Sequence, residues 1–503
     1  MMRGLDEALP GLLPAFLQRQ RWFGGKTKAI VACDVEDTAD LGSSPDVAVV
    51  VSGVSYADGA RERYGLLLTN LADAGALPTL GQLDSLKGDW LVEATADPRA
   101  AAALLRGFTR GATIPTRRGG ALRYADASEA TARMLAGGTP AVSAVGAEQS
   151  NSSFRIGPTL LLKLFRRLPP GENPELEVGR FLTTRTSFRA MSTLEGSLTY
   201  LSPAGESSTL GVLQTWLDHE GDGWGYVLSA LDAYLRTGAS PPGLTADLTS
   251  LGAITADLHA ALESDARVEA FRPEPILPRD IASWSDQVRT RASRAFALVE
   301  TQLASWPDDT RRLGASVLAQ AHLGSTIVST PDAVSSGAFA RIRIHGDYHL
   351  GQVLKTRAGF AIIDFEGEPA SPVVDRRQKQ CPLKDVAGML RSFDYAASAV
   401  LLGYAEAGPI RPEDRESLLP WAAFWTRWVS AAFLRSYLEK ASEAPLLPPD
   451  GGQLATLLST FLLEKAFYEL GYELQNRPEW IRVPLEGIER ILEPARASKG
   501  GEA

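Results

Sequence analysis

The sequence has few of the residues that build disulfide frameworks and zinc sites. Its 503 residues include two cysteines, Cys33 and Cys381, and five histidines. The cysteines lie far apart in the chain, and no cysteine–histidine spacing resembles a zinc site. A fold stabilised by disulfide bonds or by zinc is therefore excluded.

Long apolar runs and a surplus of positive charge are also missing. No apolar segment approaches the roughly 18 residues that a membrane span requires, and Pro10 and Pro14 interrupt the short apolar run near the N-terminus. The formal net charge of -9 opposes sequence-independent nucleic-acid binding, which needs a basic surface. We therefore expect a cytoplasmic protein with no membrane or nucleic-acid partner.

The order of β and helical patterns along the chain predicts an α+β fold with several parts. A short helix and alternating β segments fill about the first hundred residues, with a hairpin turn within "YADGARERY". A β-rich lobe with one helix follows and ends in an apolar connector near Leu213 to Leu217. The remainder is mostly helical, apart from a β segment that begins near Arg341.

That β segment, "RIRIHGDYHLGQVLKTRAGFAIIDFEGE", holds two aspartates 17 residues apart, Asp347 and Asp364. A turn, a strand, a second turn at Arg357–Gly359 and a second strand separate them. A hairpin of this length brings its ends together, so the two carboxylates converge. Like charges at close range repel unless a cation lies between them, which indicates a metal site.

The spacing of polar residues in this segment matches phosphoryl transfer. That reaction needs a carboxylate to orient the attacking hydroxyl and oxygen ligands for the Mg²⁺ of the nucleotide. Asp347 fits the first role, and Gln352 and Asp364 fit the second. Glu366 replaces the glycine of the Asp-Phe-Gly element and is a further metal-ligand candidate. An aspartate after glycine is also a common turn former, but the full spacing is more specific than "HGD" alone.

A kinase also needs an upstream lysine and glutamate to hold ATP phosphates. Lys163 lies inside the apolar strand "TLLLKLFRR", where a buried charge requires a partner. Glu175 and Glu177 follow on a helix, and we expect Glu177 to be that partner. The alternative for Lys163 alone is an edge or surface lysine whose stem covers apolar surface.

The remaining nucleotide contacts are predicted from position. The polar segment Gln149–Ser153 lies between two strands, and its residues Ser150, Asn151 and Ser152 are candidates for covering the phosphates. An ordinary polar turn is nearly as well supported there. Gln214 and Thr215, at the connector, are candidates for the adenine.

Five segments together resemble one family, the bacterial maltokinases: "RQRWFGGK", "HGDYHLGQVL", "IDFEGEP", "DVAGMLRSFDYAA" and "EKAFYELGYELQNRPEWIRVPL". The resemblance implies a bilobal protein-kinase-like fold with a cap subdomain (1–98), a β-rich N-lobe (99–217) and a helical C-lobe (218–503). It implies Mg²⁺- and ATP-dependent phosphorylation of maltose to maltose 1-phosphate, which feeds glycogen synthesis, and association with trehalose synthase. It also places Trp22 as an anchor of the cap.

The C-terminal helix carries the candidate sugar contacts. Lys465, Tyr468 and Tyr472 share one face because they lie at i, i+3 and i+7. Periodicity alone favours a core stripe, whereas the resemblance assigns these three residues to the sugar. His349 lies inside the segment from Arg341 to Glu368, which we call the catalytic segment, and its side chain either contacts substrate or packs against the protein. We expect Asp385 to hold the catalytic-segment backbone, and Arg391 to pair with Asp394.

Two other functions stay open at this point. A glucosamine or aminoglycoside kinase would use the same fold with a carboxylate-lined acceptor pocket. A catalytically silent kinase-like binding module would lose Asp347, Asp364 or Lys163, and all three are present.

Overall fold

The computed structural model describes residues 5–43, 46–82, 89–95, 97–125, 127–138, 140–145, 151–320, 339–369, 371–403 and 410–500. They form two compact units. The first unit is Met1–Thr183 with Ser192–Leu217, and the second is Thr184–Met191 with Asp218–Ala503. The predicted α+β class is confirmed. The division into a cap (1–98), an N-lobe (99–217) and a C-lobe (218–503) stays a prediction. The segments predicted as cap and N-lobe both fall within the first unit.

The first unit begins with a five-stranded antiparallel sheet of strand order β1-β2-β3-β5-β4. Leucines and Phe16 of helix α1 (Leu5–Arg19) pack with buried strand residues in one apolar cluster. The predicted hairpin turn joins β2 to β3, and Gly59 supplies its positive φ of 82°. The strands are β1 (Ile30–Ser43), β2 (Asp46–Tyr56), β3 (Arg61–Leu71), β4 (Thr79–Gln82) and β5 (Trp90–Glu93).

The same unit contains a seven-stranded antiparallel sheet of strand order β6-β7-β11-β12-β10-β9-β8. Its central strands are rich in leucine and valine, and they bury a second apolar cluster together with α2. The strands are β6 (Thr113–Pro115), β7 (Ala121–Ala125), β8 (Val142–Val145), β9 (Asn151–Ile156), β10 (Leu160–Phe165), β11 (Leu194–Leu201) and β12 (Ser207–Thr215). The helices are α2 (Pro98–Leu105), α3 (Glu129–Ala136) and α4 (Pro174–Arg185).

The second unit is mainly helical. The helices are α5 (Gly223–Thr237), α6 (Leu244–Glu263), α7 (Pro278–Gln302), α8 (Asp308–Ala319), α9 (Val373–Arg376), α10 (Leu383–Leu402), α11 (Pro412–Ala441), α12 (Gly451–Asn476) and α13 (Arg482–Gly500). Helix α6 packs along α11, and α12 packs against α7, α10 and α13. Short 3-10 turns occur at Leu303–Ser305, Leu350–Gln352 and Pro478–Trp480.

The predicted hairpin is present within this helical unit. Strands β16 (Val353–Thr356) and β17 (Gly359–Ile362) pair antiparallel, with Val353 opposite Ile362 and Thr356 opposite Gly359. The two-residue strand β13 (Gly221–Asp222) adds to β16, and β14 (Glu274–Pro275) pairs with β15 (Ala340–Arg341). In the part of the chain that the structure describes, no helix combines the length and the apolar character of a membrane span.

Candidate active site

The hairpin brings Gln352 and Asp364, two of the predicted metal ligands, into contact. The Ile363 amide donates to the Gln352 carbonyl at 3.0 Å, and Gln352 Nε2 donates to Asp364 Oδ2 at 3.0 Å. Among the described residues, Asp364 is the one non-glycine with a positive φ, 66°. Such a backbone costs on the order of 1–3 kcal/mol and persists where surrounding contacts enforce it, often at functional sites.

The backbone that precedes Asp347 is held by a buried carboxylate. The amides of His345 and Gly346 donate to Asp385 Oδ2 and Oδ1 at 2.7 and 2.9 Å. Burial acts to raise the pKa of Asp385, but hydrogen bonds from His259 and the Gly346 amide outweigh it and lower the pKa below its usual value. The predicted role of Asp385 is therefore confirmed. Arg391 and Asp394 form the expected ion pair at 2.8 Å.

His345 links the catalytic segment to the end of β17, a role that sequence reasoning did not assign. Its Nε2 lies 2.9 Å from the Ile363 carbonyl oxygen. Because a carbonyl only accepts, Nε2 carries the proton and Nδ1 is free to accept from the Asp347 amide at 3.4 Å. One imidazole thus connects the residues just before Asp347 with the residue just before Asp364. The only sequence signal for this role of His345 was its position in "HGD".

Two basic side chains face the carboxylate of Asp347. Lys465 Nζ lies 3.4 Å from Oδ1, and His349 Nε2 lies 3.9 Å from Oδ2. Burial acts to lower the pKa of Lys465, but Asp347, Glu368 and Glu469 outweigh it, so the pKa is raised and the ammonium is retained. Burial lowers the pKa of His349. The Lys465 contact brings together a predicted catalytic residue and a predicted sugar residue 118 positions apart.

A cavity of about 420 Å³ opens beside Asp347 within the second unit. Its size suits a small-molecule ligand, since such sites span roughly 300–1,000 Å³. Asp347, Lys465 and Tyr468 were predicted from the sequence, and the cavity brings all three together. Sequence reasoning assigned no cavity role to four other charged lining residues, which are Arg291, Glu368, Asp375 and Lys384. The cavity is also lined by Arg376, Asp385 and Glu464.

Helix α12 contributes different residues to the apolar core and to the cavity wall. Leu463, Phe467 and Leu470 belong to the apolar core. Lys465 and Tyr468 lie outside that core and line the cavity. The core stripe that periodicity favoured for Lys465, Tyr468 and Tyr472 is therefore wrong, because other residues of the helix form the core.

The two tyrosines of this helix differ in their surroundings. Tyr468 donates its hydroxyl to Glu368 Oε1 at 2.9 Å, and its ring lies beneath Lys465 Nζ at 5.0 Å. Tyr472 stacks on Tyr468 with ring centroids 6.5 Å apart, but it is 43% exposed and is not among the described residues that line the cavity. Tyr468 is thus the better-placed sugar contact of the pair.

We expect Tyr468→Ala to raise the KM for the acceptor about tenfold and to leave the KM for ATP within twofold. The ring and the hydroxyl that orders Glu368 are both lost from the acceptor cavity. Steady-state kinetics with each substrate varied in turn measures the effect. Tyr472→Ala is the matched control and should change the acceptor KM less. Equal changes in both KM values for Tyr468→Ala would contradict a sugar-binding role.

The oxygen atoms around Asp364 suit Mg²⁺, which prefers carboxylate and amide oxygens. Asp364 and Gln352 are already in contact, although the Gln352 amide must rotate to present its oxygen to a metal. Glu366 is less free, because Arg376 Nη1 lies 3.2 Å from its carbonyl oxygen and 4.0 Å from Oε2. The described residues contain no group of three or more His, Cys, Asp or Glu side chains at metal-binding spacing. These ligand roles stay predictions.

The predicted nucleotide residues lie in the first unit, where Lys163 is buried on β10. Its Nζ lies 3.9 Å from Glu175 Oε2, and both side chains are less than 10% exposed. Gln214 Nε2 donates to Glu175 Oε1 at 2.8 Å. Glu175, two positions before Glu177, is therefore a partner of Lys163, and the expected pairing with Glu177 stays a prediction. Glu177 is also buried on α4.

We expect Glu175→Gln to weaken ATP binding about tenfold, because it leaves the buried Lys163 ammonium without the charge of Glu175. Glu177→Gln, the matched control two residues away, should have a smaller effect. Isothermal titration calorimetry with ATP in excess Mg²⁺ measures both. A larger effect at Glu177 would restore the original assignment.

Four of the predicted nucleotide residues lie in strands, and two of these, Asn151 and Ser152, were expected in a loop. Gln214 and Thr215 end β12, and the Thr215 hydroxyl accepts from the Thr193 amide at 2.8 Å. Asn151 and Ser152 begin β9, where Asn151 pairs with Phe165 and Ser152 with Leu164. The strand therefore starts within the predicted polar loop. Ser150 lies outside the described residues.

Ser152 belongs to a buried polar cluster around Arg166. Arg166 Nε donates to Ser152 Oγ at 2.9 Å, and Nη1 donates to Glu93 Oε1 at 2.7 Å. The guanidinium also lies 4.8 Å from the Trp22 ring. Trp22 thus contacts the residue that follows β10, in agreement with the anchoring role predicted for it.

Comparison with known proteins agrees with this architecture. The family described as the phosphotransferase enzyme family matches residues 141–425, more than half of the chain, and the maltokinase N-terminal cap domain matches residues 16–97. A glucosamine kinase of Streptacidiphilus jiangxiensis is 26% identical over 341 residues, covering 67% of this chain and 70% of that protein. One of Mycolicibacterium smegmatis is 26% identical over 350 residues, covering 69% and 78%.

Solved structures show the same fold. A glucosamine kinase in complex with glucosamine, ADP and inorganic phosphate matches 98% of this chain and 100% of its own, with a TM-score of 0.65 and 21% identity. A further crystal form of a glucosamine kinase gives a TM-score of 0.68 at 22% identity, covering 98% and 99%. The chain belongs to the phosphotransferase enzyme family and carries a maltokinase N-terminal cap domain before its kinase-like fold.

Proposed function

We propose that the protein transfers the γ-phosphoryl group of ATP to a hydroxyl of maltose and forms maltose 1-phosphate. The observation that carries the proposal is the cavity in which Asp347, Lys465 and Tyr468 meet. It combines a carboxylate for the acceptor hydroxyl with an aromatic ring and a cation, which suit the apolar and polar sides of a sugar. A feed into glycogen synthesis and association with trehalose synthase belong to the same proposal.

The residues have separate roles in this reaction. Asp347 accepts the hydrogen bond of the acceptor hydroxyl and then its proton as the phosphoryl group transfers. Lys465 fixes the orientation of that carboxylate through Oδ1. Lys163, paired with Glu175, holds phosphate oxygens of ATP. Asp364 and Gln352 would hold Mg²⁺, which neutralises phosphate charge when bound.

Two carboxylates of the cavity are paired with cations, which supports a neutral acceptor. Glu464 lies 3.2 Å from Lys384 and 3.7 Å from Arg291, and Asp347 lies beside Lys465. These carboxylates are matched by cations of the same wall, so an amine on the acceptor gains little from them. The match to the maltokinase cap domain supports the same substrate.

Glucosamine is the second candidate acceptor. The two curated relatives are named as glucosamine kinases. Glu368 lines the cavity and accepts a hydrogen bond from the Tyr468 hydroxyl, and its carboxylate is a candidate contact for an amino group of the acceptor. An aminoglycoside would use the same contact.

The deciding experiment offers the purified protein ATP and Mg²⁺ with maltose, glucosamine, glucose, trehalose or kanamycin. ADP release and ³¹P NMR of the product are recorded for each sugar. We expect turnover with maltose and a product phosphorus coupled to the anomeric proton. Turnover with glucosamine instead would keep the catalytic roles and replace the substrate. No turnover with any acceptor would favour a silent binding module.

A further inference from the structure

A chain of three buried side chains runs from helix α11 to the catalytic segment. Tyr437 of α11 places its hydroxyl 3.0 Å from Nδ1 of His259 on α6. His259 Nε2 lies 3.1 Å from Asp385 Oδ2 on α10. Tyr437 and His259 are 0% exposed and Asp385 is 2% exposed. No substrate role in the proposed mechanism accounts for Tyr437 or His259.

With a neutral imidazole at His259, one arrangement of hydrogens satisfies every atom of this chain. Asp385 is an anion and only accepts, so His259 Nε2 carries its proton toward it. Nδ1 of His259 then accepts from the Tyr437 hydroxyl, which burial keeps protonated by raising its pKa well above the usual value. In this arrangement each bond is donated in the direction from α11 to Asp385.

The far end of the chain is the backbone that carries Asp347. Asp385 uses both carboxylate oxygens on that backbone, with the His345 amide on Oδ2 and the Gly346 amide on Oδ1. The two amides point to one carboxylate because Gly346 has a φ of 84°, which glycine adopts without strain. A rotation of the Asp385 carboxylate would break at least one of these bonds.

Helix α6 contacts the same segment at a second point. One turn before His259, the Thr255 hydroxyl lies 2.9 Å from the Tyr348 hydroxyl. On α10, the absence of a side chain at Gly388 lets the Tyr348 carbonyl oxygen come within 2.5 Å of where a Cβ would lie. The residues on both sides of Asp347 thus contact residues of α6 or α10.

We propose that His259 and Tyr437 are positioning residues for phosphoryl transfer. They hold the Asp385 carboxylate in the one rotation that orders the backbone of Asp347, and they touch neither substrate nor metal. The proposal rests on the proposed role of Asp347 for its effect on turnover. The ordering of the backbone itself is independent of that role.

The test compares His259→Leu, His259→Gln and Tyr437→Phe. Glutamine can donate to Asp385 and accept from Tyr437, whereas leucine does neither. We expect His259→Leu to lower kcat about tenfold to a hundredfold with both KM values within about twofold, and His259→Gln to recover most of that loss. Tyr437→Phe should lower kcat by a few-fold.

Hydrogen exchange of the peptide that contains His345 to Asp347 supplies a readout that does not need an acceptor sugar. Its amides should exchange faster in His259→Leu and Tyr437→Phe and regain protection in His259→Gln. Thr426→Val is the matched control, because Thr426 is a buried residue of α11 whose hydroxyl donates to the Ala422 carbonyl of its own helix.

Each outcome of this test decides the proposal. Equal kcat in the leucine and glutamine variants, with unchanged exchange at residues 345–347, would overturn it. If His259→Leu does not fold, Tyr437→Phe decides, and exchange no faster than in Thr426→Val would overturn the proposal. Altered exchange without turnover on any sugar would keep the positioning role and remove the proposed function.

Discussion

Asp347→Asn is expected to lower kcat by about 10²- to 10⁴-fold, the range for loss of a positioned general base. The amide keeps the shape of the side chain but cannot take the proton of the acceptor hydroxyl. The backbone bonds to Asp385 do not involve the Asp347 side chain, so the segment should stay folded. Steady-state kinetics gives kcat, and calorimetry with ATP and Mg²⁺ gives nucleotide affinity, which should change less than about threefold.

Two results would count against this role for Asp347. Unchanged turnover would remove it from the reaction. A parallel loss of ATP affinity and thermal stability would show that the side chain supports the fold instead. Asp286→Asn is a suitable control, since Asp286 is an exposed carboxylate of the same unit that pairs with Arg289.

Asp364→Asn is expected to abolish most Mg²⁺-dependent turnover, with a loss of about 10²-fold or more. Asparagine tolerates a positive φ nearly as well as aspartate, so the backbone at 66° should be retained. The effect can therefore be assigned to the lost charge. Titration of Mn²⁺ into the ADP complex, followed by electron paramagnetic resonance, measures metal affinity without any acceptor.

Two further variants test the assignment of Asp364 to the metal site. Asp364→Ala should lower the melting temperature more than Asp364→Asn, because alanine is strained at that φ. Glu366→Gln should reduce Mn²⁺ affinity less than Asp364→Asn, since the Glu366 carboxylate faces Arg376 at 4.0 Å. Unchanged Mn²⁺ affinity in Asp364→Asn would remove Asp364 from the metal site.

The sequence predicted the catalytic hairpin because its determinants are local. Turn residues and the alternation of apolar residues fix the register of β16 and β17, and the register places Gln352 beside Asp364. The contact of Lys163 with Glu175 was not predicted, for a physical reason. The first turns of α4 are buried on every side, from Pro174 to Gly179, so periodicity could not identify the side that faces Lys163.

The acceptor cavity could be predicted only in part. Three of its residues were found through motifs, but Arg291 and Lys384 come from two other helices whose packing no local pattern encodes. The polar composition of Gln149–Ser153 indicated a loop, yet pairing with β10 extends β9 to Asn151. Tertiary pairing overrides local propensity in such a strand.

In helix α12, one set of residues stabilises the fold and another set is available for ligand recognition. Leu463, Phe467 and Leu470 hold the helix in the core, while Lys465, Tyr468 and Tyr472 project from another part of its surface. Substitutions at Tyr468 and Tyr472 can accumulate without loosening the core residues. Under the proposed function, the acceptor preference can thus change through a few exchanges on one helix. A designer who wishes to redirect this enzyme can randomise these two tyrosines first and keep Lys465, which contacts Asp347.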